Sequence, residues 1–131
     1  MFVPAVRGIA SAAAATAVLS LAAPPALAHH GDDRVRRGSC SGATDWKVKV
    51  GPEDGRLEVE GEVDSSRGGQ TWRWRLMHNR SLSASGMRTT GGRSGSFEVR
   101  RSTVNSRGTD SFVFRARNTR SGELCVGTVN Y

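Results

Sequence analysis

Three groups of side chains in this sequence have chemistry to offer beyond packing. Arg73 and Arg75 alternate within Gln70-Thr71-Trp72-Arg73-Trp74-Arg75-Leu76-Met77-His78, and Arg115 and Arg117 alternate after Phe112-Val113-Phe114. Guanidinium groups spaced in this way suit bidentate contacts to phosphate or carboxylate. Glu58, Glu60 and Glu62 also alternate, which puts three carboxylates side by side on one face of a strand. Catalytic carboxylates face each other across a cleft, so this stripe reads as a solvated surface. The third group is the histidines, His29, His30 and His78. With His29 as a free amino terminus, its amine and imidazole and a second imidazole form a nitrogen set that suits Cu(II).

Whether His29 becomes a terminus depends on the leader. One basic residue, Arg7, precedes an apolar Ala-rich run from Gly8 to Ala23, and Pro24-Pro25 precede Ala26-Leu27-Ala28. A charged start, an apolar middle and a small-x-small end are the marks of a secretory signal peptide. The run is short of the roughly 20 apolar residues that span a bilayer, and no later segment is apolar enough to do so. The expected division is therefore a signal peptide over 1–28, a flexible arm over 29–39 and a folded domain over 40–131. The arm carries one aliphatic side chain in eleven residues (His-His-Gly-Asp-Asp-Arg-Val-Arg-Arg-Gly-Ser), too few to bury.

The chain has 131 residues and a formal net charge of +7, and loss of Arg7 would leave +6 on a mature chain of 103 residues. That length holds one domain with a modest core. A basic exported protein is drawn to anionic surfaces: nucleic acid, acidic lipid, the polyanions of a cell wall. Two cysteines, Cys40 and Cys125, are expected to form a disulfide outside the cytosol. Closing a loop of nearly the whole domain contributes about 4 to 5 kcal/mol on the chain-entropy account.

Strand periodicity runs through the rest. Trp72, Trp74 and Leu76 share one parity, and each indole can bury on the order of 150 to 250 Å², so this strand is expected at the centre. Trp46, Val48 and Val50 precede it, then a turn over Gly51 to Gly55, then Leu57, Val59, Gly61 and Val63. The loop from Asp64 to Gly69 is long for a tight hairpin and would carry the chain between sheets. Leu82, Ala84 and Gly86 form a weak inward set for an edge strand, and Asn79 reads as a turn residue. Phe97 and Val99, then Phe112, Phe114 and Ala116, then Cys125, Gly127 and Val129 complete the pattern. About seven short strands with no helical period predict an all-β, antiparallel β-sandwich.

The count and size resemble an immunoglobulin-like or fibronectin-type-III-like domain, with a Trp on the third strand but the cysteines on the first and last. Two topologies remain open. In an immunoglobulin-like order the third and sixth strands are neighbours, and Arg73, Arg75, Arg115 and Arg117 make one cationic face. In a meander the glutamate strand lies beside Arg73 and Arg75 and neutralises them.

Ser39-Cys40-Ser41-Gly42, Pro52-Glu53-Asp54-Gly55-Arg56, Glu60-Gly61-Glu62-Val63-Asp64 and Trp72-Arg73-Trp74-Arg75 resemble stretches of small secreted proteins from high-GC Gram-positive bacteria. That resemblance implies export and single-domain size and brings no activity with it. The leading His29 resembles the copper site of small secreted copper carriers and copper-dependent polysaccharide monooxygenases, which implies copper as a cofactor at His29, His30 and His78.

No Gly-x-Ser-x-Gly elbow, His-Glu-x-x-His pair or phosphate-cradling loop before a helix is present in the sequence. The expectation is a secreted, non-enzymatic module binding an anionic cell-wall polymer through the arginines. No exposed aromatic is expected beside them for stacking on bases or sugars, so specific nucleic-acid binding is not.

Overall fold

Alternating side chains dictate strands, and a computed structural model of the chain, describing residues 32–131, contains eight. They are β1 (Arg34–Ser39), β2 (Asp45–Glu53), β3 (Arg56–Asp64), β4 (Thr71–His78), β5 (Ser81–Thr89), β6 (Ser96–Thr103), β7 (Ser111–Asn118) and β8 (Leu124–Asn130). Two antiparallel sheets, ordered β1-β2-β3-β6 and β5-β4-β7-β8, face each other as an all-β sandwich. Among the described residues no helix is long and apolar enough to cross a membrane. The leader, His29 and His30 lie outside the described residues.

Trp72, Trp74, Leu76, Phe112 and Phe114 point inward from one sheet and meet Val48, Val50, Leu57, Val59, Val63, Phe97 and Val99 from the other, all buried. The fit is close enough to dictate glycine at Gly61, where an added Cβ would stand 2.6 Å from the Phe114 ring. At the open side, the Arg101 guanidinium lies 5.2 Å from the centre of the Trp74 ring. Asp64 to Gly69 does carry the chain between sheets, from β3 to β4.

Two hairpins close through pairs of residues with positive φ, Asp54-Gly55 (50° and 75°) and Asn79-Arg80 (46° and 68°), the geometry that matches strand twist in two-residue turns. The first turn is therefore shorter than its Gly51–Gly55 composition suggests. β2 continues through Pro52, which pairs with Leu57 of β3. Proline is tolerated there because the pairing of β1 with β2 already ends at Arg34 and Val50, so no neighbour on that side needs its missing N–H.

Two expectations are corrected. The stretch from Arg34 to Ser39, expected within a flexible arm, is strand β1, paired in continuous register from Arg34↔Val50 to Ser39↔Asp45. Its side chains are almost all exposed, so periodicity carried no signal; the backbone ladder holds it, with Asp33 3.7 Å from Lys49. Leu82 does not share a face with Ala84. The register shifts between Leu76 and Met77, so that Leu76 opposes Ala84 while Met77 opposes Leu82. The extra residue turns Leu82 outward, 52% exposed.

The Cys40–Cys125 disulfide forms, across 85 residues of sequence. Around it the β1–β2 loop is tied to the β7–β8 end. The Ser41 amide donates to Leu124 O at 2.8 Å, and Glu123 accepts from the amides of Gly42 (2.9 Å) and Thr44 (3.0 Å) and from the Thr44 hydroxyl (2.7 Å).

Candidate anion-binding face

β4 and β7 are the two inner strands of their sheet, and their antiparallel register sets Arg73 opposite Arg117 and Arg75 opposite Arg115. Inward Trp72, Trp74, Phe114 and Ala116 fix the parity, so all four arginines point to solvent and are exposed. Residues two apart on a strand lie about 6.8 Å apart and opposite residues about 5 Å, so the four stems rise from a small rectangle. Like charges directly opposite each other are unfavourable.

Nothing on this face offsets them. The four strands of the sheet contain no aspartate or glutamate. Among the described residues none of the four arginines is in an ion pair. Arg117 donates only to Gly122 O, at 3.4 Å. The nearest carboxylates in sequence are occupied: Glu123 by the amides above, and Asp110, buried, by His78.

Apolar side chains frame the rectangle. Met87 stands opposite Arg73 and Ser85 opposite Arg75, while Leu124 opposes Arg117 and Val126 opposes Arg115. Shallow grooves run on both sides of the β4 arginines. One is lined by Arg73, Arg75, Leu82, Ser85, Gly86 and Met87, the other by all four arginines with Ala116 and Leu124. Trp72, Trp74, Phe112 and Phe114 are buried behind the sheet.

The opposite sheet treats its charges differently. Lys47 pairs with Glu62 (3.2 Å), Lys49 with Glu60 (3.4 Å), and Arg100 with Glu60 (3.2 Å) and Glu98 (2.6 Å). Glu60, expected in a solvated stripe, is instead buried, because β2 and β6 flank β3 and deliver a cation from each side. The bond to Glu98 and the charge of Glu60 raise Arg100's affinity for its proton. A hydrogen bond with Glu53, partial burial and Glu53's charge push the Glu58 carboxyl up.

His78 pairs with a buried carboxylate. Its Nε2 lies 2.6 Å from Asp110 Oδ1, and its ring stacks on Phe112 with centroids 4.5 Å apart. Burial pushes the Asp110 carboxyl up, but hydrogen bonds from His78 and from the side chain and amide of Ser106 outweigh it, leaving it below the ordinary carboxylate value. Among the described residues no cluster of three or more His, Cys, Asp or Glu could hold a metal ion. The sequence signalled His78 but not its partner, since Asp110 sits 32 positions away.

No protein-family model, curated protein or solved structure matches the chain.

Proposed function

We propose that this protein is a secreted, non-enzymatic sandwich that binds anionic polymer of the cell envelope through Arg73, Arg75, Arg115 and Arg117. The observation that carries the reading is the cross-strand apposition of Arg73 with Arg117 and Arg75 with Arg115 on a sheet without one carboxylate. A fold that sets like charges opposite each other bears a cost, and an incoming polyanion offsets it. The disulfide supports an oxidising, extracellular location. The strand order, a β2–β3 hairpin joined by β6 and facing β5-β4-β7-β8, supports an immunoglobulin-like sandwich. With no exposed aromatic on the face, contacts are to charge rather than to base or sugar rings.

Wall teichoic acid, a phosphodiester polymer outside the cell, fits this chemistry. Retention on isolated cell walls should be salt-sensitive, fading as the screening length falls from about 10 Å at 0.1 M to about 3 Å at 1 M. Changing Arg73, Arg75, Arg115 and Arg117 together to Ser should abolish it. Equal retention by the variant, or retention indifferent to salt, would contradict the proposal.

A further inference from the structure

Charge is only half of what this face presents. Among the described residues five large apolar side chains are exposed, and three of them, Leu82 (52%), Met87 (53%) and Val126 (40%), surround the arginine rectangle. A bare polyanion in water gives these side chains nothing to bury against. Exposed apolar groups gathered at one place mark an interaction surface.

We infer that the arginine face docks on the surface of a bilayer rich in anionic phospholipid, a partner class that rests on the anion-binding reading of the face and extends it from a soluble polymer to a phosphate-bearing surface. The four guanidinium groups meet headgroup phosphates, whose bidentate geometry they match. Leu82 and Met87 on one flank and Val126 on the other enter the boundary between headgroups and acyl chains. Interfacial binding of this kind scales with buried apolar area plus attraction to anionic lipid.

The shape of the face selects an extended surface over a single small ligand. Sites for small molecules are concave and enclose most of their ligand, whereas both grooves here are shallow and flank one strand of a sheet. The apolar groups stand on both sides of the charge, as a planar partner requires. No carboxylate on the sheet would be driven against the phosphates. The opposite sheet, where Lys47, Lys49 and Arg100 are paired with glutamates, faces water.

The test is co-sedimentation of the full chain with vesicles of phosphatidylglycerol and phosphatidylcholine, or of phosphatidylcholine alone, alongside retention on immobilised polyphosphate. Every protein carries the same N-terminal segment, so differences report the face. Wild type should favour the anionic vesicles. Leu82→Ser with Met87→Ser should weaken vesicle binding by about tenfold or more, given the apolar area withdrawn, and leave polyphosphate retention unchanged. The conservative pair Leu82→Met with Met87→Leu should bind vesicles as wild type does, as should Val35→Ser with Val104→Ser, which removes exposed apolar groups elsewhere. Vesicle binding unaffected by the serine pair, an equal loss in the Val35/Val104 control, or no preference of wild type for anionic vesicles would overturn the bilayer inference. If wild type in that case still holds to polyphosphate, the polyanion reading survives; if it does not, both fall.

Discussion

The two outer faces of the sandwich are built from the same kind of strand, yet one interleaves cations with carboxylates across its strands and the other sets cation against cation. On β1-β2-β3-β6 each of Lys47, Lys49 and Arg100 finds a carboxylate within 4 Å. On β5-β4-β7-β8 four arginines find none. The difference is topological. The glutamates of β3 lie between the lysines of β2 and Arg100 of β6, while the arginines of β4 are given the arginines of β7 as neighbours. Exposed ion pairs contribute little to stability, about 0 to 1 kcal/mol each. Their consequence here is to offset Lys47, Lys49 and Arg100 on one face, while the four arginines of the other keep their charge unmatched.

That contrast requires the sheets to stay in this order, which rests on the core. Trp72→Ala or Trp74→Ala should cost about 3 to 5 kcal/mol, read from the urea midpoint, whereas Arg73→Ser should leave the midpoint near wild type. The reverse ranking would put the faces of β4 the wrong way round. Replacing Cys40 and Cys125 together by Ser should lower stability by about 2 to 5 kcal/mol. A variant melting with wild type would mean that the Ser41 and Glu123 contacts suffice to hold the corner.

Beyond the two charged faces, His78 and Asp110 provide a buried pair with its own pH response. The Asp110 carboxyl titrates below its ordinary value of 3.8 in the folded protein. The stability this gives is complete above that value and is lost as pH falls through it towards the folded pKa. Asp110→Asn should therefore flatten the fall in urea midpoint between about pH 5 and pH 2 while lowering the midpoint at pH 7. An identical acid profile for the variant would mean Asp110 does not set it.

Smaller effects compare the faces directly. Lys49→Glu, placing a third carboxylate between Asp33 and Glu60, should destabilise by about 1 to 2 kcal/mol. The same kind of reversal on the other face, Arg117→Glu opposite Arg73, should stabilise by about 0.2 to 1 kcal/mol as a cross-strand opposite-charge pair.

Much of this was legible in the residues. The inward set from Trp46 to Val129, the change of sheet after Asp64 and the turn at Asn79 all follow from alternation and turn chemistry. The arginine apposition was one of two open topologies, because parity tells which way Arg73 and Arg115 point but not which strands adjoin. Strand β1 was missed because its stability resides in backbone pairing rather than in an apolar pattern. Leu82 was misassigned because a single bulge reverses every parity beyond it. The apolar frame escaped for a related reason: Met87, Leu124 and Val126 come from strands whose outward positions take meaning only beside the arginines they oppose.

The most direct test changes Arg115 and Arg117 together to Glu and measures thermal stability and retention on immobilised polyphosphate in one preparation. An uncompensated cationic face predicts opposite movements, a rise in melting temperature as Arg75 and Arg73 gain partners and a loss of retention. A variant that melts lower while still binding polyphosphate as wild type does would contradict the account.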